Sequence, residues 1–328
     1  MKRLVAVVAA VVALPLASCG GGGRSDTYLL TLAGTATVSA PGADQRLADG
    51  RHRLELGQTV TITSGSAVLG LPGDTSFGLR AGRHDSMVKV AAHPMLIDGD
   101  ALAIAGHGDE LTFESGGATV ALHDGAARVR RSSGTTVAVY EGRADVAALG
   151  RRMAEPVRAF RQVTVADTGA LPRRAVPLVF DRADPDRWDT LYLHDAIDLG
   201  GQLERQARAV SSQPAPAAVD APYLKQIVPA LRSAHGFSAD LLVDTSRSVG
   251  ETVVGASIAL SGTGELPARW SAAFDFRDQG ADWGLVAADQ QARRAAVLGI
   301  LDGVLNRVTP IFAPVATGAR PNPSCSAP

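Results

Sequence analysis

Lysine is nearly missing from this 328-residue chain: Lys2, Lys89 and Lys225 are the only three, against 29 arginines. With abundant Ala, Gly and Val, that skew reads as a GC-rich genome rather than a functional device. Cysteine is almost as scarce, and two residues, Cys19 and Cys325, cannot build a disulfide-dense scaffold. Charge of one sign is lacking too. The 32 basic and 33 acidic residues leave −1, which removes any global reason to expect nucleic acid or an acidic membrane as partner. No apolar run reaches the roughly 20 residues of a membrane-spanning helix; residues 4–17 form the longest, at fourteen. What remains is 46% hydrophobic and 20% charged. That composition is globular rather than disordered, at a length that suggests two domains.

The N-terminus is the most specific stretch. Lys2 and Arg3 form a positive n-region, residues 4–17 a short h-region, and Leu16-Ala17-Ser18-Cys19 then precedes four glycines. This order resembles the signal peptide and lipobox of bacterial lipoproteins. The resemblance implies cleavage before Cys19 and a diacylglycerol on its sulfur, with fatty acyl chains such as palmitate as the only non-protein group. Two acyl chains hold a protein on a bilayer where one would not, and the glycines would serve as a flexible tether. The expected location is therefore the extracytoplasmic face of the cell membrane, lipid-anchored. Cleavage would leave 30 basic against 33 acidic residues. Cys325, in a Pro-rich tail, would then be a free thiol or half of an intermolecular disulfide.

Residues 27–181 read as short β-strands. Residues 59–63 and 161–165 alternate polar and apolar, placing Val60, Ile62, Val163 and Val165 inward. Similar runs lie at 67–71, 87–90, 101–105, 118–122, 127–130 and 135–140. Turn chemistry separates them at Pro72-Gly73-Asp74, Asp98-Gly99-Asp100, Ser115-Gly116-Gly117, Ser132-Ser133-Gly134 and Glu141-Gly142. Such spacing without helical periods predicts an antiparallel sandwich, roll or barrel.

Residues 182–210 are expected to be helical. Asp184-Pro185-Asp186 supplies a cap, and Trp188, Leu191, Tyr192, Ala196, Leu199 and Leu203 recur near a helical period; Gly200-Gly201 leaves open one bent helix or two. Residues 211–221 read as a linker, and 222–314 as a small α+β domain. In that domain a helix over 223–234 is kinked at Pro229, strands run over 253–261 and 268–276, and a helix spans 289–308. That last helix carries an apolar stripe of Val297, Leu301, Val304, Leu305 and Val308. Residues 315–328 are expected to be a disordered tail. The predicted fold class is thus mainly β, followed by a helical segment and a small α+β domain.

The β region also resembles FecR-type domains. Leu54-Glu-Leu-Gly-Gln-Thr-Val-Thr-Ile-Thr63 is similar to their opening strand, and Ala67-Val-Leu-Gly-Leu-Pro-Gly-Asp-Thr75 to a strand leading into a Gly turn. Asp98-Gly99-Asp100, Gly125-Ala-Ala-Arg-Val129, Val137-Ala-Val-Tyr-Glu-Gly142 and Phe160-Arg-Gln-Val-Thr-Val165 follow in the family's order. The resemblance covers about residues 27–167. It implies an extracytoplasmic β-rich module, which in the founding system relays a signal from an outer-membrane receptor to a sigma factor.

Candidate chemistry is sparse. Asp244-Thr-Ser246-Arg-Ser248 ends an apolar run and is similar to the metal-ion-dependent adhesion motif of von Willebrand factor A domains. There a carboxylate and two hydroxyls ligate Mg²⁺. Here the following residues, 249–254, read as turn and strand, and Asp244, Ser246 and Ser248 equally suit a strand ending in an Asx or Ser turn. Asp275, Asp278 and Asp282 are the carboxylates available to complete such a site. His107, Asp109 and Glu110 are a second potential ligand cluster, equally readable as turn polarity. The remaining histidines make no His-x-x-x-His or His-Glu-x-x-His pair, and no Gly-x-Ser-x-Gly or P-loop occurs. Arg128, Arg130, Arg131 and Arg143 could form a patch for an anionic wall polymer or lie on a solvated strand face.

The sequence thus points to a non-catalytic binding, sensing or scaffold lipoprotein with no metal or cofactor. Its partners would be the membrane, through the anchor, and an envelope protein or cell-wall glycan, not nucleic acid. The alternatives are a metal-dependent envelope enzyme, an adhesion-type metal-binding protein, and a solute-binding lipoprotein.

Overall fold

The structure, a computed structural model, describes residues 27–82, 85–214, 219–242 and 247–308. Twelve strands come first: β1 Thr27–Ala40, β2 Ala43–Leu47, β3 Gly50–Glu55, β4 Thr59–Leu71, β5 Thr75–Arg80, β6 Ser86–Lys89, β7 Met95–Ser115, β8 Ala118–Arg131, β9 Gly134–Ala148, β10 Ala154–Arg158, β11 Arg161–Ala166 and β12 Val176–Pro177. They form one antiparallel sheet in the order β12-β11-β9-β8-β7-β5-β4-β1-β2. β3 lies beside β1, β10 beside β9, and β6 pairs with both β4 and β7. The predicted mainly-β region followed by helix is what the chain adopts, and Val60, Ile62, Val163 and Val165 are all buried.

The sheet closes locally into a ring where β6 bridges β4 and β7, and its long strands carry breaks in pairing. Pairing between β7 and β8 breaks from Ala105 to Glu110, and pairing between β8 and β9 breaks between His123 and Ala126. On β1 and β4 a third irregularity falls between Thr35 and Ala36, just beyond the Gly34–Gly65 pair. Two residues show what such a break requires. Gly142 has φ +75°, and a Cβ there would lie closer than 3.0 Å to the Asp124 carbonyl oxygen. Gly125 has φ +158°, with the Glu141 carbonyl in the same relation. Only glycine permits this approach of two backbones. The Gly99 and Gly142 positions read as turns between strands are therefore creases within β7 and β9. Turn and bulge draw on the same left-handed conformation.

Inside the roll, Leu30, Ile62, Leu69, Phe77, Phe113, Val120, Val139 and Val163 make one core, with Phe77 and Phe113 edge-to-face at 5.1 Å. Over residues 126–129 β8 is buried on both faces: Ala127 and Val129 turn inward, while Ala126 and Arg128 face the helices.

The helices are α1 Arg187–Ser211, α2 Ala221–Ile227, α3 Ala230–Ser233, α4 Val249–Leu260, α5 Leu266–Asp278, α6 Trp283–Asp289 and α7 Arg294–Val308, with a short 3₁₀ turn at Ala239–Leu242. Asp186 caps α1, accepting from the Trp188 and Asp189 amides, and the helix runs unbroken through Gly200-Gly201. The break at Pro229 separates α2 from α3, since proline there cannot donate to the preceding turn. The segments 253–261 and 268–276, expected as strands, are helices α4 and α5, so the C-terminal part is all-helical among the described residues. α4 is the central helix, packed by α1, α5 and α7 and buried at nine of its twelve positions. A helix buried all round shows no apolar period, so its β-branched run imitates a strand. The helix expected over 289–308 starts later, as α7 from Arg294, with α6 ending at Asp289 before it; Val297, Leu301 and Val304 bury as predicted. No described helix is long and apolar enough to cross a membrane.

Close helix contacts rest on glycine. A Cβ on Gly284 would lie closer than 3.0 Å to the Ala196 carbonyl, and one on Gly250 would meet the Ala207 carbonyl equally closely. α4 begins in a capping box. Ser248 Oγ accepts from the Glu251 amide at 3.2 Å, and the Glu251 carboxylate accepts from the Ser248 amide. Ser248→Ala is expected to cost ~1 kcal/mol in urea unfolding; an unchanged midpoint would show that the cap contributes nothing.

Candidate functional site

The densest polar chemistry lies where α1 meets the outer face of the roll. The alternation of β7, β8 and β9 sends Leu102, Ala126, Arg128, Ala138 and Tyr140 outward, into the core that α1 completes with Trp188, Leu193 and Ala196. Arg128 is the one cation in that apolar row. Its Nη1 donates to Asp189 Oδ2 at 2.6 Å and to Asp186 Oδ2 at 3.0 Å, with the Arg128 side chain 8% and the Asp189 side chain 3% exposed. Tyr140 Oη donates to the other Asp189 oxygen at 2.7 Å and stacks on Tyr192 at 4.9 Å. Arg80 Nη2 donates to Asp186 at 2.8 Å and lies over the Trp188 ring at 4.3 Å. Arg80 and Arg130 also reach Asp100, at 3.4 and 2.9 Å. Three arginines thus face three aspartates.

These groups are electrostatically tuned. Burial disfavours the Asp186 carboxylate, but the Asp189 amide, the Arg128 and Arg80 charges and the Trp188 amide outweigh it and hold its pKa below the usual range. Burial pushes the Tyr140 phenol far up, with Arg128 opposing and Asp189 reinforcing, so it remains a proton donor to Asp189. Burial also raises Tyr192, to about 12. Burial works against the Arg128 charge, yet its acidic and phenolic neighbours raise its pKa. Each member pairs with another, although Arg80 Nε is buried without a hydrogen-bond partner; the mutual pairing suits a structural joint. Arg161 Nη1, bonded to Asp289 Oδ1 at 2.9 Å and stacked on Phe276, ties a second point of the sheet to the helices.

The residues singled out from sequence are dispersed. Cys19, Asp244, Ser246 and Cys325 lie outside the described residues. Ser248 is engaged in the α4 cap, and the segment after it is helix rather than turn and strand. Asp278 pairs with Arg247 at 2.5 Å, while Asp282 caps α6 and pairs with Arg182. His107, Asp109 and Glu110 sit on the β7 crease, but each has a different partner. His107 faces Asp124 at 3.5 Å, Asp109 accepts from the Asp74 amide at 2.9 Å, and Glu110 faces His123 at 3.3 Å. Among the described residues no group of three His, Cys, Asp or Glu side chains is placed to hold a metal ion. Nor do the four arginines make one patch: Arg128 and Arg130 enter the joint, Arg131 pairs with Asp167, and Arg143 with Asp145. A shallow cleft of about 310 Å³ in the helical part is lined by Arg247, Glu251, Arg277, Asp278, Gly280 and Trp283.

Fold and site together define a creased β roll with a helical bundle fastened to its outer face by a buried ionic joint. No family model matches the chain, and no curated protein matches it. Two crystal structures of a candidate anti-sigma factor from Parabacteroides distasonis, at 1.65 and 2.50 Å resolution, share 16% and 17% identity with it. They cover 37% and 38% of this chain and 68% of their own, with a TM-score of 0.28 in both cases. A likeness of that degree carries no inference about role.

Proposed function

We propose that the chain is a lipid-anchored extracytoplasmic module that binds or scaffolds an envelope protein or glycan without catalysing a reaction. The observation that carries the reading is Leu16-Ala17-Ser18-Cys19 behind a charged n-region and a fourteen-residue apolar run. The acyl group on Cys19 is its only non-protein component. The non-catalytic part is supported by the joint. Strongly shifted ionisable groups are candidates for chemistry, and here Asp186, Arg128 and Tyr140 are spent on one another between roll and bundle.

Cys19→Ala is expected to leave unprocessed precursor or to release the protein from the membrane fraction. A variant that fractionates and migrates like the parent would sink the anchor. Metal analysis of the purified protein tests the other half: a stoichiometric transition metal would replace this reading with that of a metalloenzyme.

A further inference from the structure

Beyond the tether, one end of the roll has the composition of a membrane-contacting surface. Leu149-Gly150-Arg151-Arg152-Met153 joins β9 to β10, with Gly150 at φ +74°. Leu149 is 50% and Met153 85% exposed, and Arg151 and Arg152 are exposed between them. The Ala175 amide donates to Glu155 Oε1 at 3.0 Å, which brings exposed Arg173 and Arg174 alongside β10. A shallow groove of about 450 Å³ adjoins Leu149, between the β7–β8 turn at Gly116-Gly117 and the loop at Asp167. Among the described residues, Arg151, Arg152, Arg173 and Arg174 make no ion pair, whereas Arg128, Arg130, Arg131 and Arg143 all do. Of the nearby acids, Asp167 is paired by Arg131, and Glu155, which accepts from the neutral Ala175 amide, leaves one negative charge against four arginines.

We infer that this end, through Leu149 and Met153 with Arg151, Arg152, Arg173 and Arg174, docks on an anionic lipid surface. A soluble polyanion would use the guanidinium groups but leave the two apolar side chains in water. A lipid interface uses both, taking apolar side chains at the headgroup boundary and guanidinium groups on the phosphates.

The test uses the chain from residue 19 with Cys19→Ser, which keeps every described residue and removes the acyl group. Its outcome is therefore independent of the anchor. The protein is sedimented with vesicles of phosphatidylcholine alone or with about 30 mol% phosphatidylglycerol. Binding is expected only to the anionic vesicles, weakened about tenfold or more by Arg151→Glu with Arg152→Glu, and weakened also by Leu149→Ser with Met153→Ser. Should the glutamate variant fail to fold by circular dichroism, Arg151→Gln with Arg152→Gln takes its place. No binding, equal binding to neutral vesicles, or binding that survives either pair of substitutions would overturn the proposal. Loss with the arginine pair alone would point to a soluble polyanion and equally overturn it.

Discussion

Gly142→Ala is expected to destabilise the roll by at least ~3 kcal/mol, because strain at a special backbone conformation and a buried clash act together. At φ +75° an L-residue already costs roughly 1–2 kcal/mol. The added methyl would also run into the Asp124 and His123 carbonyl oxygens, which belong to the neighbouring strand and cannot rotate away. Gly150→Ala is the control that separates the two effects. It has φ +74° but nothing within 4 Å of its would-be Cβ, so only the conformational cost applies. Urea midpoints of the two variants should differ by ~2 kcal/mol or more in converted stability. Equal losses would mean that the crease yields, and that the close approach of β8 and β9 does not hold the roll.

That crease also shows how far the sequence could be read. Alternation at 59–63 and 161–165 is a local signal, and it placed Val60, Ile62, Val163 and Val165 correctly on the inner face. Glycine at positive φ is local too, but it cannot say whether a strand ends or bends, so Asp98-Gly99 and Glu141-Gly142 read as turns. β1, β2 and β3 fell within the stretch read as strands but were not picked out singly: β2 and β3 are largely exposed, and the alternation of β1, with Leu30, Leu32, Ala36 and Val38 buried, is interrupted at Gly34. The opposite failure befell α4. Its Val253, Val254 and Ile258 are all buried, so no polar face betrayed the helix, although Ser248 and Glu251 stood at capping-box spacing. The joint was legible only in pieces. Asp186 could be recognised as a cap, but nothing near Arg128 foretells a partner 61 residues away at Asp189.

Arg128→Met is expected to be the most damaging single change in the joint, costing about 3–5 kcal/mol. It leaves the Asp189 carboxylate, 3% exposed, facing apolar surroundings with only the Tyr140 hydroxyl as donor. Adding Asp189→Leu and Tyr140→Phe removes the stranded groups. It should recover most of the loss, because apolar replacements of a buried ionic cluster are often neutral. Intrinsic fluorescence, to which Trp188, Trp270 and Trp283 all contribute, follows unfolding in the urea titration. Acid should act in the same direction as Arg128→Met. The folded pKa of Asp186 lies below its ordinary 3.8, and that of Glu204, hydrogen-bonded to Arg182, below 4.5. Their contributions are therefore complete above those values and are lost as pH falls through the depressed folded ones. At the other extreme Tyr192, raised from 10.0 to about 12, favours the folded state until pH climbs through that interval. Stability should accordingly fall below about pH 5 and again above about pH 9, with the acid limb reduced in Asp186→Asn. If Arg128→Met costs under ~1 kcal/mol, or the triple variant is no better than the single one, the cluster is not what fastens the bundle to the roll.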